Sequence, residues 1–129
     1  MGIEDLERRS EEARLNDQFK ELRQILDKAK SHSYGWKNIL SHINPNEIID
    51  IKSLKKLPIT RKSSLSLLQK NKPPLGGLSN IPVNKFKNLF VSPGPIYEPG
   101  GNNDFWRMSR AMRAASFNEG DRSEARRVG

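Results

Sequence analysis

Between Ser10 and Lys30 the apolar side chains Phe19, Leu22, Ile25, Leu26 and Ala29 recur at helical spacing, with charged residues on the other face. An apolar stripe of this kind is stable only when a second element covers it, so the rest of the chain must supply a packing layer for one long helix. The next apolar run fits that need. Ser33-Tyr34-Gly35 interrupts the first helix, and Trp36, Ile39, Leu40 and Ile43 then repeat at i, i+3, i+4 and i+7 until Asn44-Pro45-Asn46 stops the pattern.

Ile48, Ile49, Ile51, Leu54 and Leu57 follow, a grouping that predicts a turn and a short helix from near Ser53, ended by Pro58. Thr60 is placed to cap a helix over Lys62–Lys70, with Leu65 and Leu68 inward and Lys72-Pro73-Pro74 closing it. Leu75–Asn84 lacks periodicity and reads as a loop. Phe86, Leu89, Phe90 and Val91 within Lys85–Val91 predict a short strand that runs into Pro93-Gly94. Ser92–Gly101, with three prolines and three glycines, reads as a loop. A last helix is expected from Asn103 or Asp104, with Phe105, Met108, Ala111, Met112 and Ala115 on one face and Arg107, Arg110 and Arg113 on the other. Gly120-Asp121 is expected to turn toward a further strand. The fold class is α+β: a mostly helical N-terminal region, then a strand, a loop and a helix.

The apolar supply is thin for an independent domain. Hydrophobic residues make up 34% of the 129 and charged residues 29%, a balance that suits a piece of something larger. The formal charge of +8 is dispersed, because acidic and basic residues alternate through Glu4–Lys30 and the basic concentrations at Lys52–Lys62 and Arg107–Arg113 are broken by apolar residues. Neither a nucleic-acid nor a membrane partner is expected. With no cysteine, disulfides and thiolate chemistry are excluded. Met1–Glu7 has no signal-peptide core, and no stretch reaches transmembrane length. The expected compartment is the cytoplasm.

Residues 122–129, Arg-Ser-Glu-Ala-Arg-Arg-Val-Gly, resemble the in-frame translation of a short-read sequencing adapter, with one departure at Ala125. They are expected to be a non-native tail, with the true reading stopping near Asp121. Without its three Arg and one Glu the charge falls from +8 to +6.

Familiar catalytic signatures are missing: no phosphate-loop lysine motif, H-E-x-x-H, G-x-G-x-x-G or G-x-S-x-G occurs. His32 and His42 lie on different elements with no third ligand near them, which points to structural or surface roles. Met108 and Met112 read as core filler, Trp36 and Trp106 as buried rings, and the arginines of the last helix as a solvated face. The one layout that suggests a ligand is Phe90–Phe105. A Gly-containing turn that leads into a helix N-terminus can cradle an anion, because its N–H groups face outward and the helix dipole adds favourable potential.

Collinear motifs resemble the phenylacetate-CoA ligase family of adenylate-forming enzymes. Ala29-Lys30-Ser31-His32-Ser33-Tyr34 ends the first helix as in those proteins. Leu54-Lys55-Lys56-Leu57-Pro58-Ile59-Thr60-Arg61-Lys62 resembles their Leu-x-x-Leu-Pro segment, and Phe90–Pro99 and Trp106–Asp121 follow in the family's order. The resemblance covers most of Leu26–Asp121. It implies that 1–84 is the helical N-terminal region of a ligase large domain and 85–121 the start of its nucleotide-binding core.

The family's usual loop is Ser-Ser-Gly-Thr-Thr-Gly-Lys-Pro. Here Ser92, Gly94 and Pro99 match it, whereas Glu98 stands at the lysine position and Ser116 at the glycine of the helix exit. By resemblance Ser92 and Gly94 are the candidate cofactor-binding residues of a degenerate phosphate loop; no catalytic or metal-binding residue is assigned. The implied parent protein uses ATP, Mg2+ and coenzyme A. A carboxylate attacks the α-phosphate to give an acyl-adenylate and pyrophosphate, and the thiol of coenzyme A then displaces AMP. The adenine pocket, the magnesium ligand and a C-terminal lysine are implied to lie beyond Asp121, and the segment alone is expected to be inactive. The alternative reading is a non-catalytic relative or scaffold in which Glu98 marks the loss of phosphate chemistry.

Overall fold

A computed structural model describes residues 3–100, 108–118 and 120. Among these, six α-helices and one antiparallel hairpin follow in the order α1 (Ile3–Glu7), α2 (Glu11–His32), α3 (Tyr34–Ile39), α4 (Ile51–Leu54), α5 (Lys62–Asn71), β1 (Asn88–Ser92), β2 (Ile96–Gly100) and α6 (Met108–Ala114). One-turn 3-10 helices occur at Pro45–Glu47 and Val83–Lys85.

Helix α2 forms where the periodicity places it. The Ser10 side chain caps it by accepting the Ala13 N–H at 3.2 Å, and Glu11 and Glu12 in its first turn with Lys30 and His32 in its last complement the helix dipole. Phe19, Leu26 and Ala29 from its inner face join Leu40 and Ile48 in the core, with Leu15, Leu22, Trp36, Ile39, Ile43 and Leu57 packed around them. Ile25 departs from the expected face and is 62% exposed. It sits at the flank of the stripe, beyond the reach of α3 and the segment after it. Two basic side chains of α2 then fix that segment, Arg23 Nη1 donating to the Ile48 carbonyl at 3.4 Å and Lys30 Nζ to the Ile43 carbonyl.

Ser33 ends α2 and caps α3, its Oγ accepting the Trp36 N–H at 3.3 Å. Helix α3 stops at Ile39, short of the expected Ile43. Leu40 and Ile43 still reach the core because a tight turn, Ile43 N–H to Leu40 C=O at 3.0 Å, replaces the last helical turn.

Helix α4 begins at Ile51 rather than near Ser53. Asp50 is its cap and Ser53 closes a capping box: Ser53 N–H donates to Asp50 Oδ1 at 2.6 Å, and Asp50 N–H donates to Ser53 Oγ at 2.9 Å. Hydrogen bonds from the Ser53 backbone and then its side chain hold the Asp50 carboxyl below the usual carboxylate range. A lowered folded pKa contributes stability above the unfolded value of about 3.9, and this is lost as pH falls through the folded pKa. Asp50→Ala is therefore expected to lower the urea midpoint at neutral pH, and its deficit against the wild type should shrink as pH drops below about 4. Urea titrations across that range check it.

The cap expected from Thr60 is not made. Helix α5 starts at Lys62 and Arg61 occupies the cap position without a side-chain bond, leaving Thr60 one residue too early. Leu65 and Leu68 are half-buried as expected, and Gln69 is buried with them. Gly76 and Gly77, at φ +65° and +72°, then turn the loop back against the α2–α3 junction, a conformation that costs an L side chain about 1–2 kcal/mol.

Ser92–Gly101, expected as a loop, contains β2. Antiparallel pairing runs from Asn88 opposite Gly100 to Ser92 opposite Ile96, so Pro93-Gly94-Pro95 is a three-residue hairpin turn. Helix α6 is described only from Met108, and the expected start at Asn103 or Asp104, with Phe105, Trp106 and Arg107, lies outside the described residues. Met108 and Met112 are exposed rather than core filler, at 56% and 40%. Arg110 pairs with Glu7 of α1. Ser116, at φ +67°, takes the left-handed position after the helix; its N–H bonds the Arg113 carbonyl and the Phe117 N–H the Met112 carbonyl, each at 2.9 Å. This two-bond exit is the arrangement that glycine fits best, and a serine holds it here.

Candidate functional site

The candidate site is the tip of the β1–β2 hairpin together with the N-terminus of α5 (Lys62–Asn71). Two features of the sequence fix the tip. Gly94 adopts φ +136°, a value that L side chains rarely take. Pro93 and Pro95 flank it, and because proline has no N–H, Gly94 supplies the only backbone donor between Ser92 and Ile96.

Ser92 closes the base of the turn. It is half-buried and its Oγ donates to the Ile96 carbonyl at 3.4 Å. Both residues singled out in the sequence, Ser92 and Gly94, thus lie at one hairpin end, two positions apart. The turn leads into β2 rather than into a helix. The helix dipole invoked for this loop is therefore not supplied by the residue that follows it, which is Ile96 of β2. Glu98 lies on β2 opposite Phe90, exposed, and Pro99 lies opposite Leu89.

The structure adds two residues that the sequence did not single out. Gln69 is 7% exposed; its Nε2 donates to the Tyr97 carbonyl and its Oε1 accepts the Tyr97 N–H, both at 2.8 Å. One side-chain amide thereby occupies both backbone groups of Tyr97 and bolts the hairpin to α5. Lys62, the first residue of α5, reaches the tip of the same hairpin. Its Cε lies 3.9 Å from where a Cβ on Gly94 would stand. A cation beside a glycine-tipped turn is a means of holding an anionic oxygen that the turn, with a single N–H, could hold only weakly.

His32 and Trp36 contact backbone carbonyls within the fold. His32 Nδ1 lies 3.1 Å from the Lys28 carbonyl on the same helix, and among the described residues no three His, Cys, Asp or Glu side chains come together as a metal-binding group. Trp36 packs against the core and donates its indole N–H to the Leu78 carbonyl at 3.0 Å. No helix of the described residues is long and apolar enough to cross a membrane.

The described residues form an α+β fold. Three solved structures of 2-hydroxyisobutyryl-CoA ligase share it. The postadenylation state in complex with R3-HIB-AMP superimposes at a TM-score of 0.69 and 20% identity, over 80% of this chain and 23% of that one. The postadenylation state in complex with 2-HIB-AMP, and an open conformation in complex with 2-HIB-AMP and CoA, each match at 0.63 and 18% identity, over 73% of this chain and 21% of theirs. The chain thus spans less than a quarter of the length of the ligases it resembles, and at these identities the likeness is one of fold. No protein-family model matches the sequence, and no curated protein matches it at a significant level.

Proposed function

We propose that this chain is part of the large domain of an acid-CoA ligase that forms an acyl-adenylate from a carboxylic acid and ATP and transfers the acyl group to coenzyme A. The observation that carries the reading is the agreement of two independent lines: the collinear motifs from Leu26 to Asp121, and the fold shared with a CoA ligase whose structures hold an AMP adduct and CoA. They favour different acids. The motifs point to phenylacetate and other aryl acids, whereas the fold neighbours act on a small 2-hydroxy acid.

In this reading residues 1–84 form the helical entry to the domain, and 85–121 open its nucleotide-binding core. The hairpin tip is the phosphate-loop equivalent, with Ser92 at its base and Gly94 at its apex. The phosphate chain of ATP would meet the Gly94 N–H and the ammonium of Lys62, which offsets the charge reversal at Glu98. Magnesium would be held by residues beyond those described. The chain's own part is positioning: α5 sets Lys62 beside the turn and Gln69 on Tyr97 of the adjoining strand, so the tip is held on a rigid element.

Recovering the complete reading frame outward from the Phe90–Asp121 coding region, and assaying its product for ATP–pyrophosphate exchange with phenylacetate and with 2-hydroxyisobutyrate, tests the proposal. Exchange with either acid supports a ligase, and the preferred acid names its class. In an active product Lys62→Ala is expected to lower kcat/KM for ATP by about 10- to 100-fold, the worth of one charge-assisted hydrogen bond.

A second reading is favoured by the Pro93-Gly94-Pro95 turn, which has one N–H where a phosphate cradle needs several, and by Glu98. Here the chain belongs to a non-catalytic relative whose hairpin is only a scaffold. It expects no exchange with any acid and no effect of Lys62→Ala on nucleotide binding by calorimetry.

A further inference from the structure

The two edges of the hairpin are not equivalent. In an antiparallel pair, residues alternate between those that bond each other and those whose N–H and C=O point outward. Tyr97 presents both groups to Gln69, which makes Val91–Tyr97 an outward-pointing pair, and Leu89–Pro99, two residues along, is another. The outer edge of β2 is therefore closed: Gln69 fills it at Tyr97, and Pro99 has no N–H to offer. At the opposite edge Leu89 and Val91 turn their N–H and C=O away from the hairpin, and no backbone hydrogen bond joins either to a described residue outside it. The side chains of β1 are open on both faces, with Leu89, Phe90 and Val91 at 40%, 51% and 57% exposure. A continuous apolar strand is the pattern of one covered on both sides, and a lone two-stranded ribbon is marginal in water.

We propose that β1 (Asn88–Ser92) is an interior strand in the full protein and that its free edge at Leu89 and Val91 pairs with a strand from the same polypeptide beyond residue 121. This rests on the ligase reading, because the ligases that share the fold are chains of which this one spans 21% to 23%, leaving ample sequence to supply the strand. A second copy of the chain fits less well. Edge-to-edge pairing of two hairpins would satisfy the backbone but leave both faces of Leu89, Phe90 and Val91 bare, whereas a longer polypeptide brings both the strand and the layers that cover it.

Amide exchange at single-residue resolution, on the complete polypeptide and on the 129-residue chain, is the test. The Leu89 and Val91 amides should exchange at least about 100-fold more slowly in the complete polypeptide. Val91→Pro sharpens the comparison, since it removes an N–H that the hairpin does not use, and its other effects, a fixed φ and the loss of the valine side chain, fall on both forms alike. It should lower the Tm of the complete polypeptide by about 5 °C or more beyond any change in the 129-residue chain. Equal exchange in both forms overturns the proposal, as does protection in the 129-residue chain that grows with its concentration, which would assign the edge to a second copy. A reading frame that ends at Gly129 overturns it also. Pyrophosphate exchange on the same preparation separates the two readings. Activity with an unprotected edge sinks this inference alone, and a protected edge without activity sinks the ligase reading alone.

Discussion

Replacing Gln69 with leucine should release the hairpin from α5 and destabilise the fold by about 2–4 kcal/mol, from two lost hydrogen bonds and the cost of leaving the Tyr97 N–H and C=O without partners. Volume is nearly conserved, so packing loss contributes little, and the loss reads the amide's bonds rather than its bulk. Urea unfolding measures the total, and amide exchange at Tyr97 shows whether the hairpin opens first. Gln69→Glu makes a finer probe. A carboxylate still accepts the Tyr97 N–H, but its second oxygen faces the Tyr97 carbonyl, which raises the carboxyl pKa in the folded state. The penalty is then absent below the unfolded pKa of about 4.3 and grows as pH rises to the raised folded value. A Gln69→Leu protein as stable as the wild type would remove the clamp from the account of the site.

Gly35→Ala should cost about 3 kcal/mol, through overpacking and lost hydrogen bonds together. A Cβ at Gly35 would stand 2.8 Å from the Gly77 carbonyl oxygen and 2.8 Å from Leu78 Cδ2. The oxygen is backbone and cannot rotate away. Relief requires moving the loop, which sacrifices the bonds from Gly35 N–H and Ser33 Oγ to Gly77, at 2.9 and 2.7 Å, and from the Trp36 indole to Leu78. The control is Gly120→Ala, whose glycine, unlike the helical Gly35, has positive φ, +94°, and nothing within 4 Å of an added Cβ. It should cost only the backbone term, about 1–2 kcal/mol at most. Thermal melts of the two variants compare steric cost with conformational cost directly.

What could be read from the sequence is what periodicity and local punctuation encode. Helix α2 was legible because Phe19, Leu22, Leu26 and Ala29 mark one face. The short strand at β1 was legible because Leu89-Phe90-Val91 ends at Pro93-Gly94. Strand β2 was not: Ile96-Tyr97-Glu98-Pro99 lies between prolines and glycines that argue for a loop, and Pro99 is tolerated only because its missing N–H falls on the outer edge, a property of the pairing register. The spacing of Ile25 admits two neighbouring faces, and nothing local chooses between them. Asp50 carries no clear cap signal because Ser53, its partner in the same box, itself resembles a helix start. At the candidate site Ser92 and Gly94 were legible from motif resemblance. Gln69 and Lys62 carry no local signal, since a polar residue on an amphipathic helix ordinarily faces water, and only the return of the chain 28 residues after Gln69 gives it a buried task.

The hydrogen bond from the Trp36 indole to the Leu78 carbonyl gives the protein an intrinsic optical gauge. Indole emission shifts with the polarity around the ring, and this ring lies at the seam where the Gly76–Leu78 loop meets the α2–α3 junction. With Trp106 replaced by phenylalanine, the remaining fluorescence would report that seam alone. Docking of the loop could then be followed in real time, without labels, in the short chain and in any longer polypeptide that contains it.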